Sequence, residues 1–172
     1  MSGVDEDDVE AHDVNELTLL LAERKAQAVA ATLEDTAAGA LVIGCDSMLE
    51  FKAQGFGKPP SAAEAAERWR TMRNRTGTLV TGHCVIDTGS GRRATAAART
   101  VVHFGDPTDA EIDALVRTGE PLRVAGAFTI DGFAAPFVDS IEGDHGNVIG
   151  LSLPLLRRLL GELDVEVTSL WA

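Results

Sequence analysis

The fold is decided by the stretch Leu41-Val42-Ile43-Gly44-Cys45-Asp46-Ser47, which Gly57-Lys58-Pro59 follows within one loop's length. The apolar run predicts a buried strand over residues 41–45 that ends at Asp46. Open α/β sheets hold their ligands at the carboxyl ends of strands, where an ionised acid can take part in chemistry. A glycine beside a lysine lets the backbone approach a charged ligand while a cation reaches over it. The two segments together indicate a site for an anion.

Lysine is rare in this chain, which makes its positions informative. Only Lys25, Lys52 and Lys58 are lysines, and every other basic residue is arginine. A lysine kept next to a strand that ends in a carboxylate indicates that a compact ammonium is required there. The ordinary alternatives are a solvated loop residue for Lys58 and a surface helix residue for Lys25, although Leu21 places Lys25 near an apolar stripe.

Composition limits the classes of partner. The 172 residues suffice for one domain, or one domain with two lobes, and 45% of them are apolar. A net charge of −12 argues against nucleic acid and against anionic membrane surfaces. A small anionic substrate remains compatible with this charge if basic residues converge locally. Neither a signal peptide nor a long apolar segment is found, so we expect no membrane insertion.

The two cysteines match neither a metal-binding spacing nor a disulfide framework. We therefore expect Cys45 and Cys84 to be reduced thiols in a cytoplasmic protein. A Cys84 and His83 nucleophile pair is rejected, because neighbouring residues on a strand face opposite ways. His145, in a glycine-rich polar loop, is a weak argument for a metal site, and Asp131-Gly132 is typical of a turn.

Local patterns predict an α/β protein. Asp13 with Glu16, and Ser61 with Glu64, are capping boxes that begin helices, the first running to about Leu33. Asp106-Pro107 and Pro154 begin two further helices, the former ending at Gly119. Strands are predicted at 41–45, 79–87, 95–104, 125–130, 134–141 and 165–170. Because crossovers alternate with a hairpin, we expect a mixed sheet covered by helices.

Asp46 is the leading candidate for chemistry. Its functional interpretation is a general base or a metal ligand, and the alternative is a capping or loop acid satisfied by backbone N–H groups. Gly57-Lys58 is not a phosphate-binding P-loop, because position 52 is lysine where that motif needs glycine and Pro59 replaces the hydroxyl residue.

Taken as an ordered set, these segments resemble the Maf family, which is named for septum formation and contains nucleoside triphosphate pyrophosphatases. The resemblance runs from Ser2 to the last helix. It is carried by Ala22-Glu-Arg-Lys25-Ala26, Ile43-Gly44-Cys45-Asp46, Gly57-Lys58-Pro59, Val80-Thr81-Gly82, Thr118-Gly119-Glu120-Pro121, Ala125-Gly126-Ala127-Phe128 and Asn147-Val148-Ile149-Gly150-Leu151-Ser152-Leu153-Pro154. It implies a single inosine-triphosphatase-like domain over residues 1–172, with a bent mixed sheet flanked by helices and two lobes around a central cleft.

The resemblance also implies roles for individual residues. The family's proton acceptor corresponds to Asp46, and its cleft lysines correspond to Lys25 and Lys58. Glu6 matches the acid of the family's Ser-Asp-Ile-Asp-Glu type segment, and would help Asp46 hold Mg²⁺ or Mn²⁺. Ser47 and Asp131 match two positions that tune the choice of base.

Two departures from the family pattern stand out. Family members have a strand and a Ser-x-Ser-Pro-Arg-Arg type loop before the acidic segment, and we expect this chain to lack both. The branch acting on thymidine and uridine triphosphates has Ile-Gln-Gly where this chain has Ile130-Asp131-Gly132. Because an ionised aspartate only accepts hydrogen bonds, Asp131 is expected to favour bases rich in N–H donors, such as guanine or 7-methylguanine.

The predicted function is hydrolysis of a nucleoside triphosphate, canonical or modified, to monophosphate and pyrophosphate. The main alternative is an N-terminally truncated nucleotide-binding or regulatory protein, linked to cell division, with little or no catalysis. A deaminating-class or phosphomonoester hydrolase is a further alternative, which the product would distinguish. The preferred base and the oligomeric state, including a homodimer, stay open.

Overall fold

A computed structural model describes residues 11–33 and 39–171 of the chain. The helices are α1 (Val14–Leu33), α2 (Ala62–Met72), α3 (Asp109–Arg117), α4 (His145–Ile149) and α5 (Leu153–Glu162). The strands are β1 (Leu41–Phe51), β2 (Gln54–Phe56), β3 (Thr76–Asp87), β4 (Arg93–Phe104) and β5 (Val138–Glu142). Short 3₁₀ helices are found at Glu120–Arg123, Ala125–Ala127, Ala135–Phe137 and Val167–Leu170.

The five strands form one sheet in the order β2-β1-β3-β4-β5. Strand β1 pairs antiparallel with β2, and β4 pairs antiparallel with β5. The end of β3 returns to the start of β1, since Thr88 N–H donates to the carbonyl of Ala40. Strands β3 and β4 form a hairpin closed by a bond from Asp87 N–H to the carbonyl of Arg92. Neighbouring strands in the described chain therefore run antiparallel.

The chain divides into two compact units, and the long strands contribute to both. Unit 1 contains residues up to Asp46, Thr81–Ala98 and Gly150 onward, and unit 2 contains Ser47–Val80 and Arg99–Ile149. In unit 1, α5 packs its leucines against Val85 of β3, and α1 packs against β1. Unit 2 is built around the fully buried Trp69 of α2, whose indole N–H donates to the carbonyl of Ala127 at 2.8 Å.

The α/β class, with helices flanking a sheet, is confirmed. The helix starts predicted at Asp13 and Ser61 are confirmed, because capping side chains are local signals, whereas the third helix begins at Asp109 with Thr108 as its cap and not at Asp106-Pro107. Asp13 accepts the Glu16 N–H at 2.8 Å, and Ser61 accepts the Glu64 N–H at 3.2 Å. Helix α3 begins after Thr108, and Gly119 follows its end with φ 73°. No helix in the described ranges combines the length and apolarity that a membrane crossing requires.

Several strand predictions need correction. The first strand does not stop at Asp46, because Leu49 and Phe51 continue its buried face to residue 51. The predicted parallel component of the sheet is not found among the described strands. The predicted cleft stays a prediction.

The other errors concern short apolar segments. Residues 125–130 do not form a strand, since Gly126 and Ala127 have φ of 65° and 62°. The strand expected over 134–141 is limited to β5, which Ala135–Phe137 precedes as a 3₁₀ helix. The expected edge strand at 165–170 is instead a turn of 3₁₀ helix, from which Val167 packs against the α5 cluster.

Candidate active site

An ion pair between Lys25 and Asp46 joins α1 to β1. The ammonium of Lys25 donates to a carboxylate oxygen of Asp46. The Asp46 side chain is 10% exposed and that of Lys25 is 24% exposed, so the pair is largely withdrawn from water. Charges in such a setting interact more strongly than they do at the surface. Two residues that are 21 positions apart in sequence, and that the prediction treated as partners in one site, are therefore brought together.

The close approach of the α1 backbone to the β1 backbone fixes the position of this pair. Helix α1 approaches β1 at Gly44, where a β-carbon would lie 2.3 Å from the carbonyl oxygen of Ala22 and 2.7 Å from the nitrogen of Ala26. Only glycine permits that approach. Lys25 lies in the helical turn between these two alanines, so the contact that requires Gly44 also holds Lys25 against Asp46.

Asp46 is an interior residue of an antiparallel strand, and not a residue beyond a strand end. A carboxylate has two oxygens and about four lone-pair directions. The hydrogen bond from Lys25 uses one of these directions. Ser47, the next residue of β1, is half-buried.

Cys45 precedes Asp46 in β1 and Cys84 lies in β3, and both are free thiols, as predicted. Burial raises the pKa of Cys45 to about 11, with a further contribution from the charge of Asp46. Burial also raises the pKa of Cys84 to about 11, and the nearby Glu23 carboxylate adds to it. Neither thiol is a thiolate at neutral pH, so neither is a nucleophile.

His83 is a buried structural residue, which confirms the rejection of a Cys84 and His83 pair. Its Nε2 accepts the Ser152 N–H at 2.9 Å, and its Nδ1 lies 2.9 Å from the carbonyl of Thr81. An acceptor at Nε2 and a donor at Nδ1 together require the neutral imidazole. Cys84 belongs instead to the cluster beneath α1.

Lys58 is exposed and belongs to the segment between β2 and α2. The preceding Gly57 anchors that segment, because its carbonyl accepts from Arg68 at 2.8 Å and from the Gly126 N–H at 3.1 Å. Arg68 also lies over the ring of Phe56 at 4.8 Å. The backbone before Lys58 is thus tied to the segment that leads to Asp131.

Asp131 is exposed in a turn of unit 2 and accepts a hydrogen bond from the Thr129 hydroxyl. The turn is confirmed, although strands do not flank it on both sides. The carboxylate of Glu120 accepts the N–H groups of Phe133 at 2.8 Å and Ala134 at 3.0 Å. Sequence reasoning quoted Glu120 only as part of a motif, because a bond across 13 residues to a backbone group leaves no local signal.

Of the two expected metal ligands, the structure describes Asp46. Glu6 lies outside the described residues. Within residues 11–33 and 39–171, no cluster of three or more His, Cys, Asp or Glu side chains could hold a metal ion. A Mg²⁺ that binds through substrate phosphates needs only one or two carboxylates from the protein. The Asp46 carboxylate, which pairs with the Lys25 ammonium, fits that requirement as one ligand.

Comparison with known proteins gives a consistent result. The family model for Maf-like proteins matches residues 1–163. A nucleoside triphosphate pyrophosphatase of Streptomyces coelicolor is 63% identical over 172 residues, which are all of this chain and 82% of that protein. Proteins with the same description from Streptomyces avermitilis and Salinispora tropica are 60% and 57% identical, over 99% and 100% of this chain and 82% and 76% of their own lengths.

The match covers the Lys25–Asp46 pair, the Lys58 segment and the Asp131 turn in one continuous alignment with the family. This chain therefore belongs to the Maf family.

Proposed function

We propose that the protein is a nucleoside triphosphate pyrophosphatase that hydrolyses the bond between the α and β phosphates. The relatives described above carry that description at 57–63% identity. The observation that carries the proposal is the Lys25–Asp46 ion pair, in which a withdrawn carboxylate and an ammonium adjoin. A base for water and a cation for phosphate oxygens are what hydrolysis of a polyanion requires.

In the proposed reaction, Asp46 accepts a proton from the attacking water. The water oxygen forms a bond to one phosphorus, and the bond from that phosphorus to the bridging oxygen breaks. The products are a nucleoside monophosphate and pyrophosphate. Asp46 suits this role because Lys25 orients its carboxylate.

The two lysines would neutralise phosphate oxygens as negative charge develops on them. Lys25 stands at the carboxylate, so its ammonium would serve the reacting phosphate and the orientation of Asp46 together. Lys58 follows an anchored glycine and projects from an exposed segment, which suits contact with a substrate arriving from solvent. In a chain with net charge −12, each of these cations would attract a phosphate group.

A divalent cation, Mg²⁺ or Mn²⁺, is part of the proposal. Asp46 and, from the family resemblance, Glu6 would hold it. When bound, it would neutralise phosphate charge and favour loss of the leaving group. Removing divalent cations with a chelator is expected to reduce turnover at least tenfold, within the several kcal/mol that such an ion supplies.

Base choice is assigned to Ser47 and Asp131. Asp131 is exposed and ionisable, so it would accept hydrogen bonds from the N–H groups of guanine or 7-methylguanine. Replacement by glutamine, which both donates and accepts, is expected to shift preference toward uridine triphosphate. An unchanged preference in Asp131→Gln would contradict this assignment.

The proposed location is the cytoplasm, because two free thiols suit a reducing compartment.

The function is tested by product analysis with and without Asp46. Wild-type protein is incubated with a panel of triphosphates and Mg²⁺, and pyrophosphate and single phosphate are measured separately. Asp46→Asn keeps the shape of the side chain and is expected to lose about 10²–10⁴-fold in kcat, the usual contribution of a general base. Its thermal unfolding is expected to stay close to that of wild type, since asparagine can still accept from Lys25.

Asp106→Asn is the matched control, because Asp106 is an exposed acid in the loop before α3. It is expected to retain full turnover. Release of single phosphate would contradict the reaction, and undiminished pyrophosphate release by Asp46→Asn would contradict the base. Nucleotide binding without any turnover by wild type would favour the regulatory alternative.

A further inference from the structure

Glu120 acts on the backbone of the turn that follows Thr129. Its two carboxylate oxygens each accept a separate N–H group, Oε2 from Phe133 at 2.8 Å and Oε1 from Ala134 at 3.0 Å. Hydrogen bonds to a charged acceptor are about twice as strong as neutral ones. A bidentate contact of this kind fixes the orientation of two consecutive peptide units, and so of the side chains they carry.

Gly132 shows how closely the carboxylate approaches this turn. A β-carbon at position 132 would lie 2.1 Å from Oε2 of Glu120 and 2.6 Å from its carboxyl carbon. Any other residue at 132 would push the carboxylate away. Gly132 and Glu120 therefore act together. Because glycine has no side chain, the Glu120 carboxylate has room to bind the backbone of the turn.

The turn presents two groups to solvent. Asp131 is exposed and is oriented by the hydroxyl of Thr129. Phe133 is 67% exposed, an unusual position for a phenyl ring on a well-anchored backbone. A carboxylate accepts N–H groups at the edge of a heterocycle, and an aromatic ring stacks on its face. Edge and face together are the two contacts by which proteins recognise an unpaired nucleobase.

We propose that Glu120 is a positioning residue for nucleobase recognition, holding the turn so that Asp131 reads the edge of the base and Phe133 stacks on its face. This inference rests on the proposed function and extends it to residues 120 and 133. Glu120 does not touch the reacting phosphates in this scheme. Its loss should therefore change which triphosphate is preferred more than how fast the preferred bond breaks.

The experiment measures kcat and KM for GTP, 7-methyl-GTP, UTP and dTTP in wild type, Glu120→Gln and Glu120→Ala. Glutamine keeps one acceptor oxygen and alanine keeps none. In Glu120→Ala, the ratio of kcat/KM between the best and the worst base is expected to fall about tenfold, through KM. This lies within the loss of up to roughly 100-fold that misplaced contact groups can cause. Glu120→Gln should fall between wild type and Glu120→Ala, and Phe133→Ala should raise KM for all four bases.

Glu111→Ala is the matched control for a purely structural effect. Glu111 also accepts a backbone N–H, from Thr108 at 2.7 Å, and does so in the same unit, but it caps α3. Its loss is expected to lower the unfolding temperature while the base ratio stays within twofold of wild type. Gly132→Ala, which displaces the carboxylate without removing it, should reproduce the change of ratio in Glu120→Ala.

The outcomes separate this inference from the proposed function. Pyrophosphate release by all variants with an unchanged base ratio overturns the inference alone. A ratio changed equally by Glu111→Ala overturns it as well, since the effect would then follow general stability. Equal use of the four bases by wild type also overturns it. If wild type releases no pyrophosphate from any of them, the proposed function fails, and this inference fails with it.

Discussion

The Lys25–Asp46 pair and the Asp131 turn are held in place by opposite means. The pair stands on a long helix and a long strand whose backbones touch at Gly44. The turn belongs to an irregular segment, and the Glu120 carboxylate gives it two backbone hydrogen bonds. The pair is positioned by backbone packing, which tolerates almost no added side-chain volume at Gly44. The turn is positioned by the Glu120 side chain, which a substitution can replace.

This difference suits different tasks. Groups that take part in a reaction must be held to within a fraction of an ångström, and regular elements supply that rigidity. Groups that select among similar ligands gain from standing on a loop, where exchange of one residue alters the preference without disturbing the reaction. The comparison predicts that substitutions near the pair change rate, whereas substitutions near the turn change preference.

After the loss expected for Asp46→Asn, the largest effect is expected from removal of the ammonium in Lys25→Met. Loss of a cation from the reacting phosphate typically costs about 10²–10³-fold in kcat. Arg24→Met is the matched control, since Arg24 is the neighbouring cation on α1 and is exposed. Steady-state kinetics on one triphosphate should show this loss for Lys25→Met and a change of less than twofold for Arg24→Met. Equal behaviour of the two variants would contradict a role for Lys25.

The second prediction concerns Gly44, which is not a member of the pair but fixes the approach of α1 to β1. In Gly44→Ala, the new methyl group would overlap the Ala22 carbonyl, so α1 must move from β1 and carry Lys25 away from Asp46. Overpacking of this kind costs about 1–3 kcal/mol of unfolding free energy, measured with urea. Turnover should fall along with stability.

Gly161→Ala provides the control for that substitution. Gly161 lies in α5 with nothing within 4 Å of its missing β-carbon. The same change there is expected to raise the free energy of unfolding by up to about 1 kcal/mol, because alanine favours a helix. A Gly44→Ala protein as stable and active as wild type would show that close packing of α1 does not position the pair.

A smaller effect is expected for Lys58→Met, which should raise KM for triphosphate about tenfold with little change in kcat. This corresponds to about 1.4 kcal/mol of lost binding to an exposed cation. Lys52→Met is the control, since Lys52 is also exposed in unit 2 and lies in the turn between β1 and β2. It should leave KM unchanged. The salt dependence of KM should weaken in Lys58→Met alone, because screening acts on the charge that was removed.

The sequence predicted the elements whose signals are local. Asp13 and Ser61 mark the starts of helices, because their side chains accept hydrogen bonds from backbone N–H groups three residues later. The partnership of Lys25 with Asp46 could be predicted from the family resemblance, although the reason for its geometry, the contact at Gly44, is a tertiary feature. The strand end predicted at Asp46 is wrong, because β1 continues to Phe51, and the role of Asp46 as a base stays a prediction.

What sequence reasoning missed has a physical cause. Residues 125–130 look like a strand by composition, but the left-handed conformations at Gly126 and Ala127 are imposed by tertiary contacts. One such contact is the bond from the Trp69 indole to the Ala127 carbonyl, across 58 residues. Sequence reasoning also missed the hydrogen bonds of Glu120, because its partners are peptide N–H groups. Peptide groups are the same in every residue, so no pattern of side chains reveals such a bond.

The last prediction concerns Cys45 and Cys84, and it gives the comparison a pH test. Burial raises the pKa of Cys45 and Cys84 to about 11 in the folded protein, from 9.0 as the ordinary value. The unfolded chain therefore loses these protons first. Their contribution to stability is fully present below pH 9, and it is lost as the pH rises from about 9 to about 11. Unfolding free energies across this range should fall more steeply for wild type than for a Cys45→Ala, Cys84→Ala variant. Since both thiols belong to unit 1 and the turn belongs to unit 2, base preference should be the same at pH 8 in both proteins. A changed preference would mean that the two regions are not independent.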